Sequence, residues 1–226
     1  MSRLILIGGG ELKERQTLKI DEYIASEAKK IAGERRASGL FLPTASHDCM
    51  PYYNTFHKVY TGLFGIKTDV ALTVNREVDP EKMKAKFEKA DFLYIGGGDT
   101  VYMLRQWKQS GLLPLIQTAF EEGKLIAGLS AGAICWFEEM YSDSVVEGEY
   151  HIFPGLGWIN GKISPHYDER TLDFDDIVLY NRWCAWGLEN NAALEMHNGE
   201  PVKSISAGGK VFRLDASSGE LKKTVF

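Results

Sequence analysis

KLIAGLSAGAICWF, residues 124–137, is the stretch that decides the fold. An apolar strand-like run leads into it and an apolar helix-like run leads out, with Ser130 on the turn between them. Gly128 and Gly132 stand two positions before and after the serine, which is the pattern of a nucleophile elbow. Such a tight turn admits only small neighbours and exposes the hydroxyl beside a helix N-terminus. The alternative interpretation is a glycine-rich turn without a catalytic role.

The composition of residues 1–226 is that of an ordinary globular protein, with 44% apolar and 25% charged residues. A net charge of -5 without a basic cluster argues against a nucleic-acid partner. Three cysteines without a CxxC pair favour a reducing compartment. The apolar run at residues 4–7 is too short for a signal peptide, and no run reaches the length of a membrane span. We therefore expect a cytoplasmic protein without a membrane partner, as a monomer or a homodimer.

Strand-like and helix-like segments alternate over roughly the first 140 residues. Apolar runs predict strands at 4–7, 40–42, 69–74 and 92–95, and helical spacing predicts helices at 20–31, 52–64, 80–88, 100–110 and 114–122. This alternation predicts a parallel sheet covered by helices on both faces. Near the C-terminus, turns separate strand-like runs at 193–196, 202–206, 210–214 and 221–226, which we expect as antiparallel hairpins appended to the same sheet. Without a repeat or a linker, residues 1–226 are predicted to form a single domain.

A serine nucleophile needs a base within hydrogen-bond reach. Among five histidines, His166 is the first choice because it follows an apolar run, and the ends of strands are where α/β sheets place their sites. An exposed loop histidine is the alternative. His47, also after a strand, is the second choice and is expected to face the substrate. His151 alternates with Glu147 and Glu149, but one polar strand face is the preferred interpretation, so neither a metal nor another cofactor is predicted.

The residues that could orient the base, and those that could bind the oxyanion, are less distinctive. Asp143 follows the predicted elbow helix and Glu189 lies downstream of His166, but loop acids are commonly turn formers or helix caps. The amide of Ala131 and the loop 96–98 can donate to an oxyanion, and both follow parallel strands, so we expect them to converge. The glycines at 8–10 are interpreted as a simple tight turn.

Three motifs together resemble a known family. IGGGDT at 95–100, GLSAGA at 128–133 and ISPHY at 163–167 resemble the S51 serine peptidases, which include peptidase E and the cyanophycinase relatives. The order and spacing of the motifs match over most of the chain. The resemblance implies a flavodoxin-like α/β fold of the class I glutamine amidotransferase type. The α/β-hydrolase fold has the same elbow, but its histidine comes late in the chain, whereas only 36 positions separate the serine and histidine here.

The same resemblance implies site residues. It makes Ser130 the nucleophile, His166 the base, and the Gly98 and Ala131 amides the oxyanion hole. Peptidase E has an acid after the elbow helix, which corresponds to Asp143.

Relatives of the cyanophycinase type use instead a glutamate in a segment similar to residues 187–190. That position is Asn190 here, and the glutamate is shifted to Glu189. Either Asp143 completes the Ser-His-acid relay, or Asn190 orients the imidazole, as asparagine does in papain-like enzymes.

The resemblance also bears on the substrate. Aspartyl dipeptidases hold the acidic side chain of their substrate with an arginine after the catalytic histidine, but residues 173–177 here are largely acidic. Arg170 and Arg182 flank this run and are candidates for the same role, although the acidic run disfavours an anionic substrate. We expect a serine-type exopeptidase for dipeptides or short peptides. The alternative is an amidotransferase-like binding protein that has lost the relay.

Overall fold

The computed structural model of the protein describes residues 2–74, 77–146 and 148–226. The strands are β1 (Arg3–Ile7), β2 (Ser38–Leu42), β3 (Lys67–Val70), β4 (Phe92–Ile95), β5 (Leu125–Leu129), β6 (Phe137–Ser142), β7 (His151–Pro154), β8 (Ile159–Ser164), β9 (Cys184–Leu188), β10 (Ala192–His197), β11 (Glu200–Ser206), β12 (Val211–Asp215) and β13 (Lys222–Val225). The α-helices are α1 (Leu18–Ala32), α2 (Met50–His57), α3 (Pro80–Lys89), α4 (Thr100–Gln109), α5 (Leu113–Glu121), α6 (Ala131–Ile134) and α7 (Tyr167–Tyr180). A 3-10 turn at Thr44–Ser46 and a π-helical segment at Lys58–Leu63 complete the helical elements. Within the described ranges, no helix has both the length and the apolar character that crossing a membrane requires.

The first sheet has the strand order β11-β10-β1-β5-β4-β2-β3. From β1 to β3 along this order the neighbouring strands are parallel, and β10 and β11 add an antiparallel hairpin at one side. The strands and helices of this sheet lie where the apolar pattern predicts them, except that β3, at Lys67–Val70, only overlaps the predicted strand 69–74. The predicted α/β fold class, with a parallel sheet and C-terminal antiparallel strands, is confirmed.

Alternate side chains of the first sheet enter two different cores. In β1, Leu4 and Leu6 pack in the core that contains side chains of α3, α4 and α5. Ile5 and Ile7 pack in the core that contains side chains of α1 and α2. All four are fully buried, and each such side chain stabilises the fold by roughly 1.5–3 kcal/mol. Burial on both faces explains why these strands are continuous apolar runs in the sequence.

The second sheet has the order β13-β12-β9-β8-β6-β7 and was not foreseen from the sequence. Strands β6, β8 and β9 are parallel, and β7, β12 and β13 are antiparallel to their neighbours. The expectation that all C-terminal strands extend the first sheet is therefore correct for β10 and β11 and wrong for β12 and β13. Strand β12 pairs instead with β9, where Val211 lies opposite Leu188 and both side chains are fully buried.

The helix after the elbow is much shorter than its apolar sequence predicts. Helix α6 ends at Ile134, and the chain continues as β6 from Phe137. The carbonyls of Cys135 and Phe137 accept hydrogen bonds from the amides of Leu156 and Gly157, so they are not available to a continuing helix. Trp136 and Phe137 are fully buried in the core that side chains of both sheets share. The apolar run thus forms part of a core rather than one helix.

Candidate active site

Ser130 lies on a sharp turn between β5 and α6. Its backbone has φ 50° and ψ -106°, an unusual conformation for a residue with a side chain. A Cβ on Gly128 would lie 2.0 Å from the carbonyl oxygen of Gly132, and a Cβ on Gly132 would lie 2.4 Å from that of Ile95. The amide of Ser130 donates to the carbonyl of Ile7 at 2.9 Å. The two glycines therefore permit the turn that the sequence predicts, and the half-buried hydroxyl lies at the carboxyl edge of the first sheet.

The side chain of His166 reaches the serine from the second sheet. Its Nε2 lies 2.9 Å from Ser130 Oγ. His166 follows β8 and precedes α7, and its φ of 46° turns the chain between these elements. Its amide donates to the carbonyl of Gly8 at 3.0 Å, which ties this loop to the end of β1. The arrangement brings together the predicted nucleophile and the predicted base.

Asn190, in the loop after β9, is the hydrogen-bond partner of His166 on the other side of the ring. Its Oδ1 lies 2.7 Å from His166 Nδ1. With this acceptor, the imidazole carries its proton on Nδ1 and leaves Nε2 free to accept the serine proton. Ser130, His166 and Asn190 form the contact chain that we call the relay.

The structure does not bring Asp143 to the ring of His166, which corrects the first-choice relay. Asp143 Oδ1 lies 3.7 Å from Arg170 Nη2, and its Oδ2 accepts from the amide of Gly148 at 3.5 Å. Glu189 is turned toward β12, because its Oε2 accepts from the Lys210 amide at 2.8 Å. Asp143 and Glu189 thus contact other groups. Of the three candidates, Asn190 is the one that lies next to the imidazole.

Gly9 is part of the site, although the sequence suggested only a tight turn at residues 8–10. A Cβ at this position would lie 2.0 Å from Asn190 Oδ1 and 2.4 Å from His166 Nδ1. The carbonyl of Gly9 also accepts from the amide of Asn191 at 3.0 Å. The hydrogen bond between His166 and Asn190 thus lies directly on a glycine of the loop that follows β1. In the sequence, the feature that could have indicated this role is the run of three glycines at the carboxyl end of a buried strand.

The loop at 96–98 lies beside Ser130, as expected. A Cβ on Gly97 would lie 3.5 Å from Ser130 Cβ. Gly98 has φ 136°, and a Cβ there would lie 2.2 Å from the carbonyl oxygen of Ala45, so only glycine fits. Among the described residues, the backbone N–H groups of Gly98 and Ala131 have no hydrogen-bond acceptor. Gly98 also lines the cleft described below, whereas Ala131 is buried directly after Ser130.

A cleft of about 930 Å³ opens over Ser130 and His166. Arg170 is buried in its wall, with the guanidinium carbon 4.4 Å from the ring centre of Tyr150. Among the described residues, its Nε has no hydrogen-bond partner, and its contacts to the Tyr141 carbonyl and to Asp143 are long, at 3.5 and 3.7 Å. The described residues thus satisfy the guanidinium only weakly and leave it capacity for a further acceptor.

Other predicted site residues lie apart from this cleft. Neither His47 nor Arg182 belongs to the described residues that line it. Both are exposed, and the ring of His47 packs 4.0 Å from that of Tyr102. Of the weakly considered metal set, His151 and Glu149 are exposed, and Glu147 lies outside the described residues.

Comparison with known proteins identifies the family. The family model for peptidase family S51 matches residues 4–212, and the chain belongs to this family. It is therefore a peptidase. The uncharacterized peptidase YgaJ of Bacillus subtilis (strain 168) is 30% identical over 228 residues, covering 98% of this chain and 95% of the relative.

One further relative and one solved structure are also similar to this chain. A peptidase E of Shewanella baltica (strain OS195) is 29% identical over 129 residues, covering 57% of this chain and 52% of that protein. The crystal structure of a peptidase from an acI-B1 Actinobacterium superposes with a TM-score of 0.67 at 17% identity, covering 99% of this chain and 94% of the other. At that identity the likeness concerns the fold.

Proposed function

We propose that the protein is a serine-type exopeptidase that hydrolyses dipeptides or short peptides, with Ser130 as nucleophile and His166 as general base. The observation that carries this proposal is the 2.9 Å contact between Ser130 Oγ and His166 Nε2, on a nucleophile elbow that opens into a cleft. Asn190, rather than Asp143, orients the imidazole in this proposal. Membership of the peptidase family, with relatives named peptidase E, supports the reaction class.

In the first half-reaction, Ser130 Oγ attacks the peptide carbonyl carbon while His166 Nε2 takes the hydroxyl proton. Negative charge develops on the carbonyl oxygen, and the free amides of Gly98 and Ala131 donate to it. One preorganised donor of this kind lowers the barrier by roughly 3 kcal/mol. The protonated His166 then gives its proton to the leaving amine, and the C–N bond breaks to leave an acyl-serine ester.

In the second half-reaction, a water molecule replaces the amine. His166 takes a proton from this water as it attacks the ester carbonyl, and then returns a proton to Ser130 Oγ. The products are a free carboxylate and the regenerated serine, so the cycle needs no cofactor.

The charges around the cleft favour neutral or basic peptides over acidic ones. Among its described lining residues, the carboxylates are Glu11, Asp143, Asp168 and Glu169, and the cations are Lys13 and Arg170. In this proposal Arg170 binds a carboxylate of the peptide, such as its C-terminus. Asp143, 3.7 Å from Arg170, already offsets part of that positive charge, which weakens the binding of a second acidic group.

The test compares the purified protein with its Ser130→Ala variant on a dipeptide panel that differs only in charge, such as Asp-Leu, Ala-Leu and Lys-Leu. We expect the wild type to release free amino acids and the variant to lose more than about 1,000-fold in kcat. A fluorophosphonate probe should label the wild type and fail to label Ser130→Ala. Equal hydrolysis by both proteins would refute the nucleophile. The amidotransferase-like alternative predicts neither hydrolysis nor labelling by the wild type, together with binding of a small molecule in the cleft.

A further inference from the structure

The side-chain amide of Asn190 is held by two carboxylates on the side away from His166. Its Nδ2 donates to Asp168 Oδ2 at 3.1 Å and to Glu169 Oε1 at 2.6 Å. Asp168 holds the backbone as well, because its Oδ1 accepts from the amide of Asn190 at 2.8 Å. Both N–H bonds of the amide and the adjacent backbone N–H are thereby satisfied by the first turn of α7.

These contacts fix which end of the amide faces the imidazole. An ionised carboxylate accepts hydrogen bonds and cannot donate them. Asp168 and Glu169 therefore bind the NH₂ end of Asn190 and repel its carbonyl oxygen, so Oδ1 is left facing His166 Nδ1. Hydrogen bonds to the NH₂ end also polarise the amide and make Oδ1 a stronger acceptor.

The orientation of the amide decides the tautomer of His166. With Oδ1 toward the ring, Nδ1 carries the proton and Nε2 can accept the proton of Ser130. A flipped amide would donate to Nδ1 and place the ring proton on Nε2, where the ring cannot act as a base toward the serine. The wrong tautomer is the known cost of an amide beside a catalytic histidine when its N–H₂ end faces the ring.

We propose that Asp168 and Glu169 are positioning residues, which hold Asn190 with its oxygen toward His166 and so maintain the tautomer that can deprotonate Ser130. This inference rests on the proposed serine peptidase function. It explains how a neutral asparagine serves where a carboxylate would select the tautomer by itself. The negative charge is on Asp168 and Glu169, which contact Asn190 rather than the imidazole itself.

A purely structural role for the two acids is the competing explanation. Both lie in the first turn of α7, where negative side chains stabilise a helix N-terminus. The experiment must therefore include a readout that helix stability does not affect, and a control with the same change of charge. Asp173 and Asp176 are exposed acids on the same helix and provide that control.

The experiment compares the double variant Asp168→Asn/Glu169→Gln with the control Asp173→Asn/Asp176→Asn. The new amides can donate as well as accept, so they no longer dictate the orientation of Asn190. We expect kcat of the first variant to fall about 10-fold or more, with KM changed less than about 3-fold and the control close to wild type. In ¹⁵N-histidine NMR, His166, assigned with a His166→Ala variant, should change from the Nδ1–H form toward the Nε2–H form.

A third substitution separates positioning from structure. Asn190→Asp places an acceptor-only carboxylate beside His166, and this group needs no outer carboxylates to orient it. Added to the double variant, it should restore the Nδ1–H form and recover most of kcat. Added to the wild type, it should lower kcat, because three carboxylates would then crowd one position.

Two results would overturn the proposal. One is an unchanged tautomer and kcat in Asp168→Asn/Glu169→Gln. The other is a fall in kcat that accompanies a lower melting temperature and is not recovered by Asn190→Asp, which would show a structural role. Failure of the proposed function is distinguishable, since wild type would then be no faster than Ser130→Ala, while the NMR measurement on the resting protein would still decide the role of the two acids.

Discussion

The two sheets of the molecule contribute to the site in different ways. The first sheet provides the hydroxyl of Ser130 and otherwise backbone: the elbow, the loop at 96–98 and the glycines that follow β1. The second sheet provides side chains, because His166 follows β8 and Asn190 follows β9. The central strands of the first sheet, such as β4 and β5, are fully buried, and the edge strands of both sheets contain no buried residue: β3 and β11 in the first, β7 and β13 in the second. The two contributions meet where Gly9 lies against the hydrogen bond between His166 and Asn190.

Because of this difference, we expect substitutions in the two halves of the site to reduce activity for opposite reasons. The first-sheet half depends on atoms that are absent, since a Cβ on Gly128, Gly9 or Gly98 would overlap a neighbour. The second-sheet half depends on atoms that are present, since the imidazole and the amide make specific hydrogen bonds. Apart from removal of the Ser130 hydroxyl itself, adding a methyl group should therefore damage the first half, and truncating a side chain should damage the second.

The largest effect is expected for Gly128→Ala. Its Cβ would lie 2.0 Å from the carbonyl oxygen of Gly132, and backbone cannot move aside as a side chain can. We expect about 3 kcal/mol of lost unfolding free energy and no detectable peptidase activity. Urea denaturation and the dipeptide assay measure these. The matched control is Gly62→Ala, whose Cβ would meet no atom within 4 Å; similar stability of the two variants would contradict the explanation.

Gly9→Ala should damage catalysis more than stability. Its Cβ would meet the side chains of Asn190 and His166, which can move, rather than backbone. A displacement of about 1 Å in a catalytic group is enough to cost about 100-fold, so we expect at least that loss in kcat/KM. Thermal melting should show a smaller change than for Gly128→Ala. A variant that keeps wild-type kcat/KM would show that the relay does not need the close contact with β1.

Truncation on the second sheet should distinguish Asn190 from Asp143. Asn190→Ala removes the acceptor of His166 Nδ1, and we expect kcat to fall about 10- to 100-fold. Asp143→Ala leaves the imidazole contact intact and should change kcat less than about 3-fold. Because it frees Arg170, it should also lower KM for acidic peptides. The reverse order of the two kcat values would restore Asp143 as the relay acid.

The smallest effect on activity concerns Asp21, because this group changes the pH dependence of stability through the packing of α1 on the first sheet rather than kcat. Burial raises the pKa of the Asp21 carboxyl to about 7 from 3.8, although the hydroxyls of Thr17 and Tyr60 donate to it at 2.7 and 2.8 Å. The folded state therefore retains a proton that the unfolded chain has lost. Stability should decrease as pH rises from about 4 to about 7, by roughly 1.4 kcal/mol per pH unit from this group.

Asp21→Asn should remove this contribution and flatten the dependence of unfolding free energy on pH. Urea titrations between pH 4.5 and 8 measure it, and Asp173→Asn provides the exposed control. Equal slopes for wild type and Asp21→Asn would contradict the assignment. The kcat of Asp21→Asn at one pH should remain near wild type, because α1 contributes no side chain to the relay.

The first sheet could be predicted from the sequence because its signals are local. Strands β1, β4 and β5 are apolar runs that end in glycine turns, and helical periodicity fills the intervals between them. The motif around Ser130 then predicts the elbow, whose glycines the structure shows in mutual contact. Each of these features depends on residues close together in the chain.

The second sheet could not be predicted in the same way. Residues 133–137 are apolar in a manner that suits a helix or a buried strand equally, and only their packing between two sheets decides. The pairing of β12 with β9 joins segments that are distant in sequence. Glu189 and Asn190 are neighbours in the chain, yet Glu189 faces Lys210 while Asn190 faces His166.

The sequence by itself determined the α/β class, the peptidase family, the nucleophile elbow at Ser130 and the choice of His166 as its candidate base. These follow from residue types at fixed spacing, which act through local backbone geometry. Tertiary structure decided that Asn190 rather than Asp143 lies beside the imidazole, and that Gly9, Asp168 and Glu169 surround it. The reason is physical: a hydrogen bond of 2.7 Å depends on where two loops from different strands meet, and that position is fixed by packing over the whole molecule.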